Sequence, residues 1–465
     1  MIPFTVAEIA AVVGGTLHAT DPSAAGAAVV DGPVEYDSRK VGPGGLFVAF
    51  AGAKVDAHDF AAKAVADGAV AVLGSRPVDG VPTIAVEDPR AALGLLARAA
   101  LERRDDITVV AITGSSGKTS TKDLIAALLR TAGPTVATIG SENNELGTPY
   151  TVLKVTADTR FLVLEMGARG GGHLAYLCGI APPDVSVVVN VGTSHIAEFG
   201  SLEGTTLAKG ELVEALRPGG LAILNADDER VRSMASRSAA PVRFAGESEV
   251  SDFRATDVED LGRGRFGFTM HLPGTGPVQV RLDVAGRHQV GNALLAAAVA
   301  SHAGVDPATI AATLGDLEGL SSRRMDVFDR ADDVTVIDDS YNANPASMAA
   351  ALRALVAVAG GRRMIAVLGS MAELGEYERT GHEEVGRLAA ELGVDRLVAV
   401  GEQAAPILHG ASVVASWGGD PVLVTDQEAA VALLRAELRP RDVVLVKGSR
   451  YRTWDIADAL RAGVR

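Results

Sequence analysis

Apolar residues in this chain fall into short uninterrupted runs separated by amphipathic stretches, a pattern that predicts buried strands alternating with helices. The first part carries such runs at Val29-Val30, Leu46 to Phe50 and Ala69 to Leu73, with a helix predicted near Asp59 to Asp67. The charged stretch Glu102 to Asp106 then marks a boundary. Beyond it come Ile107 to Ile112, Phe161 to Glu165, Val185 to Asn190 and Leu221 to Asn225, the last three each ending in a polar residue. From 241 to 284 the pattern turns to alternating segments between glycine-rich turns, which predicts antiparallel strands appended to the same sheet, and an alanine-rich helix follows at Asn292 to Ala303. After about 325 the alternation restarts, with strands predicted at Val334 to Ile337, Met364 to Leu368, Leu397 to Val400, Val422 to Val424 and Val443 to Val446. The expected fold is α/β in three domains. Residues 1–105 form a small α/β domain, 106–323 a central parallel-sheet domain with added antiparallel strands, and 324–465 a doubly wound, Rossmann-like domain.

Length and composition agree with that division. A chain of 465 residues exceeds one core and suggests roughly three domains. Its 48 % hydrophobic and 22 % charged residues are ordinary globular usage. The net charge of −15 lacks the cationic footprint of a nucleic-acid or anionic-membrane binder, so phosphate affinity must be local. The single cysteine, Cys178, excludes an intramolecular disulfide and reads as a small buried residue. No apolar run approaches membrane-spanning length and the N-terminus does not read as a signal peptide, so a cytoplasmic protein is expected.

Candidate chemistry gathers at strand ends of the central domain. Gly114, Ser115, Ser116, Gly117, Lys118, Thr119 and Ser120 follow an apolar strand and open an amphipathic helix, the order a phosphate-binding loop requires. Glycines let backbone N–H groups turn toward phosphate oxygens, Lys118 adds positive charge, and Thr119 offers a hydroxyl to Mg2+. The loop is shortened, since Ile112 stands where the usual pattern has another glycine, and an ordinary strand-to-helix turn is the competing reading. Glu165 closes its strand as a metal-binding carboxylate would, or as a solvated acid. His195 follows the next apolar run, where a lone histidine is a metal ligand or a structural hydrogen-bond donor. By local pattern Lys209 starts a helix and faces solvent.

Taken together, these residues resemble the Mur ligase family over essentially the whole chain. The segments Asp37 to Ala49 and Gly52 to Phe60 resemble those that hold a uridine nucleotide, which implies substrate contacts from Ser38 and Arg39. Thr113 to Ser120 resembles the family's phosphate loop, and Ser141 to Pro149, with Asn143 and Asn144, its substrate-contacting segment. Glu165 and His195 correspond to Mg2+ ligands, and Lys209 to a lysine that the family carbamylates, giving a further ligand beside Thr119. Asn292 corresponds to an adenine contact. Arg324 corresponds to a phosphate-contacting guanidinium, with Arg323 as the alternative register. The segment Asp338 to Pro345, containing Asp339, Tyr341, Asn342 and Asn344, resembles the element that marks the branch adding D-alanyl-D-alanine to UDP-N-acetylmuramoyl-tripeptide. Its Asn344-Pro345 pair also suits a helix N-cap and first-turn proline. Val446 to Arg450 completes the match. The resemblance implies an ATP- and Mg2+-dependent amide ligase working through an acyl phosphate, and a monomer is expected. Lys118, Glu165, His195 and Lys209 are then its catalytic set. The rival readings are another Mur-type or folylpolyglutamate-type ligase, and a phosphate-loop regulatory NTPase.

Overall fold

In a computed structural model that describes residues 1–52, 54–192, 196–317, 321–449 and 452–462, the chain builds three larger sheets, in the order the apolar runs predict. In the first part, Val34–Glu35, Gly45–Ala49, Ala69–Gly74 and Thr83–Ala85 are parallel, and Thr16–His18 adds an antiparallel edge. Val29–Val30 stands apart from this sheet and pairs with Phe4–Thr5. The predicted helix near 59–67 is a 3-10 turn, Ala57–Phe60, followed by the helix Ala61–Ala66.

The central sheet has nine strands. Thr108–Thr113 lies third from one edge, between Phe161–Glu165 and Val185–Val188, and all three are parallel. Their registers pair Ile112 with both Glu165 and Val187, so the three carboxyl ends finish level with one another. That edge is where an open α/β sheet binds ligands. Ile112 has no exposed surface and belongs to the strand. Val242–Gly246 still runs parallel to both neighbours; the antiparallel extension starts only at Phe253–Gly262, continuing through Arg265–His271 and Val278–Arg281. The helix Gln289–His302 packs across the sheet face and buries nearly all of its alanines, because small side chains let it lie close to the strands.

The third sheet has Thr335–Asp338, Val443–Lys447, Met364–Gly369, Arg396–Val400 and Asp420–Val424 in parallel, with Asp326–Asp329 antiparallel at one edge. The first two parts share a core: the helix Pro89–Glu102 contributes Leu93, Leu96, Ala97 and Ala100 to the cluster that holds Leu174, Leu177 and Ile180 of the central part. No helix among the described residues is long and apolar enough to cross a membrane.

Candidate functional site

The phosphate loop leaves Thr113 and is fixed by one side chain of the neighbouring strand end. Asn190 Oδ1 accepts from the Ser116 N–H at 2.9 Å, and its Nδ2 donates to Ser116 O and Oγ at 3.1 Å each. Ser115 N–H donates to Asn190 O at 3.0 Å, and Ser115 Oγ bridges the carbonyl and N–H of Gly192. Gly117 takes φ +77°, which favours glycine, and a Cβ there would come within 3.2 Å of Asn292 Oδ1, so the space is tight as well. The helix begins at Lys118, earlier than its amphipathic stretch suggests, and runs to Arg130. Lys118 Nζ folds back on Gly114 O at 2.7 Å. Burial pushes this ammonium below the ordinary lysine value, the Glu165 carboxylate partly offsets that, and Arg324 adds to the lowering.

Glu165 is 1 % exposed, so it is not a solvated acid. Thr119 Oγ1 donates to its Oε2 at 2.8 Å and Asn143 Nδ2 to its Oε1 at 2.7 Å. A hydroxyl and a carboxylate held together at a phosphate loop are hard oxygen donors, and they suit Mg2+, which usually completes its shell with water and phosphate oxygens. Among the described residues no three His, Cys, Asp or Glu side chains form a metal cluster. His195 lies outside the described residues.

Lys209 sits well inside the helix Leu202–Glu214 rather than at its start, and it is 3 % exposed rather than solvent-facing. The reason is helical periodicity: Thr205, Ala208, Lys209 and Leu212 form the inward stripe, while Leu207 points out. Its Nζ lies 5.7 Å from the centre of the Phe199 ring. Burial, then repulsion from Lys118, holds the ammonium far below the ordinary lysine value, and no carboxylate among the described residues is close enough to pair with it.

The C-terminal part supplies the opposite wall. Arg324 lines the cavity with its guanidinium 4.2 Å from the Tyr341 ring centre, whereas Arg323 turns away to Asp458 at 3.0 Å and toward Trp454. Lys447 is 2 % exposed and donates to Asp339 Oδ2 at 2.5 Å and Asn342 O at 2.9 Å. Tyr341 and Ser141 share a hydrogen bond across the cavity. Asn344 caps the helix Pro345–Ala359 through a reciprocal bond pair with Ser347, so its structural reading is realised, although it also lines the cavity.

One cavity of about 900 Å³ collects Gly114 through Ser120, Asn143, Asn144, Glu165, Lys209, Asn292, Arg324, Asp339, Tyr341 and Asn342. Asn144 does structural work there, its Oδ1 accepting from the N–H groups of Leu146 and Gly147. Ser38 and Arg39 do not line it; Arg39 is exposed and paired with Asp37 at 2.8 Å. His58, in the other uridine-like segment, is buried and clamped between Asp56 and the Ser75 N–H. Sequence reasoning missed Asn190, whose signal was a polar residue closing an apolar run, and Asn225, which does the same on the next strand and donates to Val189 O. Asp227, Glu247 and Arg287 at the far end had no local signal.

The wall assignments coincide with the matches to known proteins. Residues 33–100 match the model described as Mur ligase family, catalytic domain; 112–300 the Mur ligase middle domain; and 323–450 the Mur ligase, glutamate ligase domain. The UDP-N-acetylmuramoyl-tripeptide–D-alanyl-D-alanine ligase of Mycobacterium tuberculosis strain H37Rv is 47 % identical over 99 % of this chain and 98 % of its own. The chain belongs to the Mur ligase family. Its Escherichia coli K12 relative of the same name is 38 % identical over 97 % of this chain and 96 % of its own. A crystal structure of MurF from Acinetobacter baumannii superposes with a TM-score of 0.87 at 32 % identity, covering 99 % of both chains. MurF from Thermotoga maritima in complex with ADP gives 0.80 at 29 %, covering 93 % of this chain and 98 % of its own. In this Mur ligase the middle domain therefore contributes the loop, Glu165 and Lys209, and the glutamate ligase domain contributes Arg324, Asp339, Tyr341 and Lys447.

Proposed function

We propose that this chain is an ATP-dependent amide ligase that joins D-alanyl-D-alanine to UDP-N-acetylmuramoyl-tripeptide, giving the pentapeptide, ADP and phosphate. The observation that carries the proposal is the convergence, in one cavity, of a rigid phosphate loop, buried Glu165 and Lys209, and the facing Arg324 and Tyr341. Near-full-length likeness to ligases of that name supports the substrate choice.

The chemistry follows from what a carboxylate lacks. Its charge repels a nucleophile, and oxide is no leaving group. One oxygen of the tripeptide carboxylate attacks the γ-phosphorus, the bond to the ADP oxygen breaks, and an acyl phosphate results. The amine of D-alanyl-D-alanine then attacks the carbonyl carbon, loses a proton, and expels phosphate. The loop N–H groups hold the phosphates, while Lys118 and Arg324 place positive charge on either side of the transferring group. Asn190 takes up the Ser115 and Ser116 N–H groups and so fixes the course of the loop, which leaves little reorganisation at the moment of transfer. Asn292 packs beside Gly117, where an adenine contact would extend the loop's hold on the nucleotide. Closure between the Ser141 and Tyr341 walls excludes water that would hydrolyse the acyl phosphate. Mg2+, held by Thr119, Glu165, His195 and carbamylated Lys209, would neutralise phosphate charge. Carbamylation would replace a repelling ammonium by anionic oxygens, which suits a lysine buried with no carboxylate among the described residues. Ser38 and Arg39 would contact the uridine nucleotide from the first domain. The enzyme is proposed to act as a monomer in the cytoplasm, and light scattering of the purified protein checks its size.

Incubation with ATP, Mg2+, UDP-N-acetylmuramoyl-tripeptide and D-alanyl-D-alanine tests the reading. The expected result is equimolar phosphate and pentapeptide by mass spectrometry. Phosphate release independent of the amine, with no new peptide mass, overturns it and favours a regulatory NTPase.

A further inference from the structure

Arg324 reaches the cavity on an unusual piece of backbone. Arg323 and Met325, on either side of it, take φ +64° and +53°, in the left-handed region that ordinarily favours glycine. Such residues persist where the surrounding structure fixes both flanks. The downstream flank is fixed by Asp339, whose Oδ1 accepts from the Met325 N–H at 3.2 Å, while Arg323 O, just upstream, accepts from the Tyr341 N–H at 3.3 Å. The upstream flank is held by a residue of the loop helix: Asp123 Oδ2 accepts from both Ser321 N–H at 2.8 Å and Ser321 Oγ at 2.7 Å.

Asp123 is itself held in place. Its Oδ1 pairs with Lys122 Nζ at 2.5 Å; Lys122 is 3 % exposed and also donates to Thr138 O at 2.8 Å. Thr138 Oγ1 in turn accepts from the Glu165 N–H at 3.1 Å. A continuous set of hydrogen bonds thus links the Glu165 strand end, the loop helix and the segment bearing Arg324. Lys122 and Asp123 lie on the same helix as Lys118 and Thr119, so whatever fixes the phosphate loop also fixes the anchor.

We propose that Asp123 is a positioning residue which, through Ser321, sets where the Arg324 guanidinium stands relative to the phosphate loop. The inference rests on the reading of the cavity as an ATP site. A purely structural acid would lower stability without caring whether residue 324 is arginine; a positioning acid acts only through it.

The test is a double-mutant cycle on the full chain, read as kcat/KM for ATP with folding checked by thermal melting. Asp123→Ala is expected to lower kcat/KM about ten-fold in the wild-type background and less than about two-fold when Arg324→Ala is also present, since residues that act as a unit are non-additive. Ser321→Ala removes only the hydroxyl donor, so it keeps the cycle readable should Asp123→Ala not fold; about three-fold is expected, again vanishing without Arg324. Losses of the same size in both backgrounds overturn the proposal, as does an unchanged kcat/KM in folded Asp123→Ala. Calorimetric titration of wild-type protein with MgADP separates this from failure of the functional reading: if wild type binds no nucleotide, the ATP-site reading falls first.

Discussion

Two fully buried lysines line opposite walls of the cavity, and their surroundings differ in kind. Lys447, at the end of a parallel strand, gives its protons to the Asp339 carboxylate and the Asn342 carbonyl. Burial and Arg324 press its ammonium down, but Asp339 holds it up. Lys209, on a helix of the central domain, faces an aromatic ring at 5.7 Å and a second cation, Lys118, with no compensating carboxylate among the described residues. Burial is therefore not what separates these two lysines. The difference is whether the protein has supplied the counter-charge. A lysine left without it is pushed toward the free amine, the form that adds to carbon dioxide.

The largest effect that would break this comparison is on activity. Lys209→Ala should lower kcat by about a thousand-fold or more, with part recovered by small carboxylates such as formate or acetate, because they supply the anionic oxygens of the proposed carbamate. Activity within a few fold of wild type would remove Lys209 from the site. Stability should show the reverse contrast. Lys447→Met leaves the Asp339 carboxylate buried and unpaired, so a loss of about 3 kcal/mol or more in chemical denaturation is expected, much of it restored by adding Asp339→Asn. Lys209→Met, which removes a buried amine with no counter-charge among the described residues, should be neutral or stabilising. Equal losses at the two positions would mean that the two environments do not differ as described.

The sequence made one side of this comparison easier to see than the other. Strand ends were legible because period and apolar runs are local: the level finish of Ile112 and Glu165 follows from three neighbouring parallel strands. Lys209 was misread locally, since a lysine two residues after an exposed Leu207 gives no sign that the helix presents it inward. Asn190 escaped because its partners, the Ser115 and Ser116 backbone groups, lie far away in sequence. In the first domain Ser38 and Arg39 stood out by motif and lie outside the cavity, Arg39 paired with its own neighbour Asp37, so the motif marks the residues without showing what they meet. Local pattern reports elements well; it reports partners only when they are close in the chain.

A smaller effect sharpens the contrast through pH. For a base whose folded pKa is lowered, the unfolded chain keeps a proton that the folded chain has released throughout the window between the folded value and the ordinary lysine value of about 10.4. Folding stability therefore rises with pH across that window. In carbon dioxide-free, metal-free buffer, denaturation midpoints of wild type should climb relative to Lys209→Met as pH rises toward the ordinary lysine value. Lys447 is present in both proteins and cancels. A constant difference would show that Lys209 titrates alike in the folded and unfolded chain.

The smallest expected effect concerns the segment that Lys447 holds. Asn342 and Asn344 both belong to the motif that marks the ligase branch, but the structure uses them differently: the Asn342 carbonyl accepts from Lys447, while Asn344 caps the helix Pro345–Ala359 and shares a reciprocal bond pair with Ser347. Replacing an N-cap asparagine by alanine ordinarily costs about 1 kcal/mol. Asn344→Ala should therefore lower stability by about that amount while Asn344→Ser or Asn344→Asp, which can still accept from Ser347 N–H, retain most of it. Because the helix start also carries cavity-lining Ser347 and Ala350, KM values for Asn344→Ala should move by no more than about three-fold, in step with the cap and recovered with it. If Asn344→Asp keeps the stability yet loses activity, Asn344 contacts a substrate directly, and the motif owes its form to chemistry as well as to the fold.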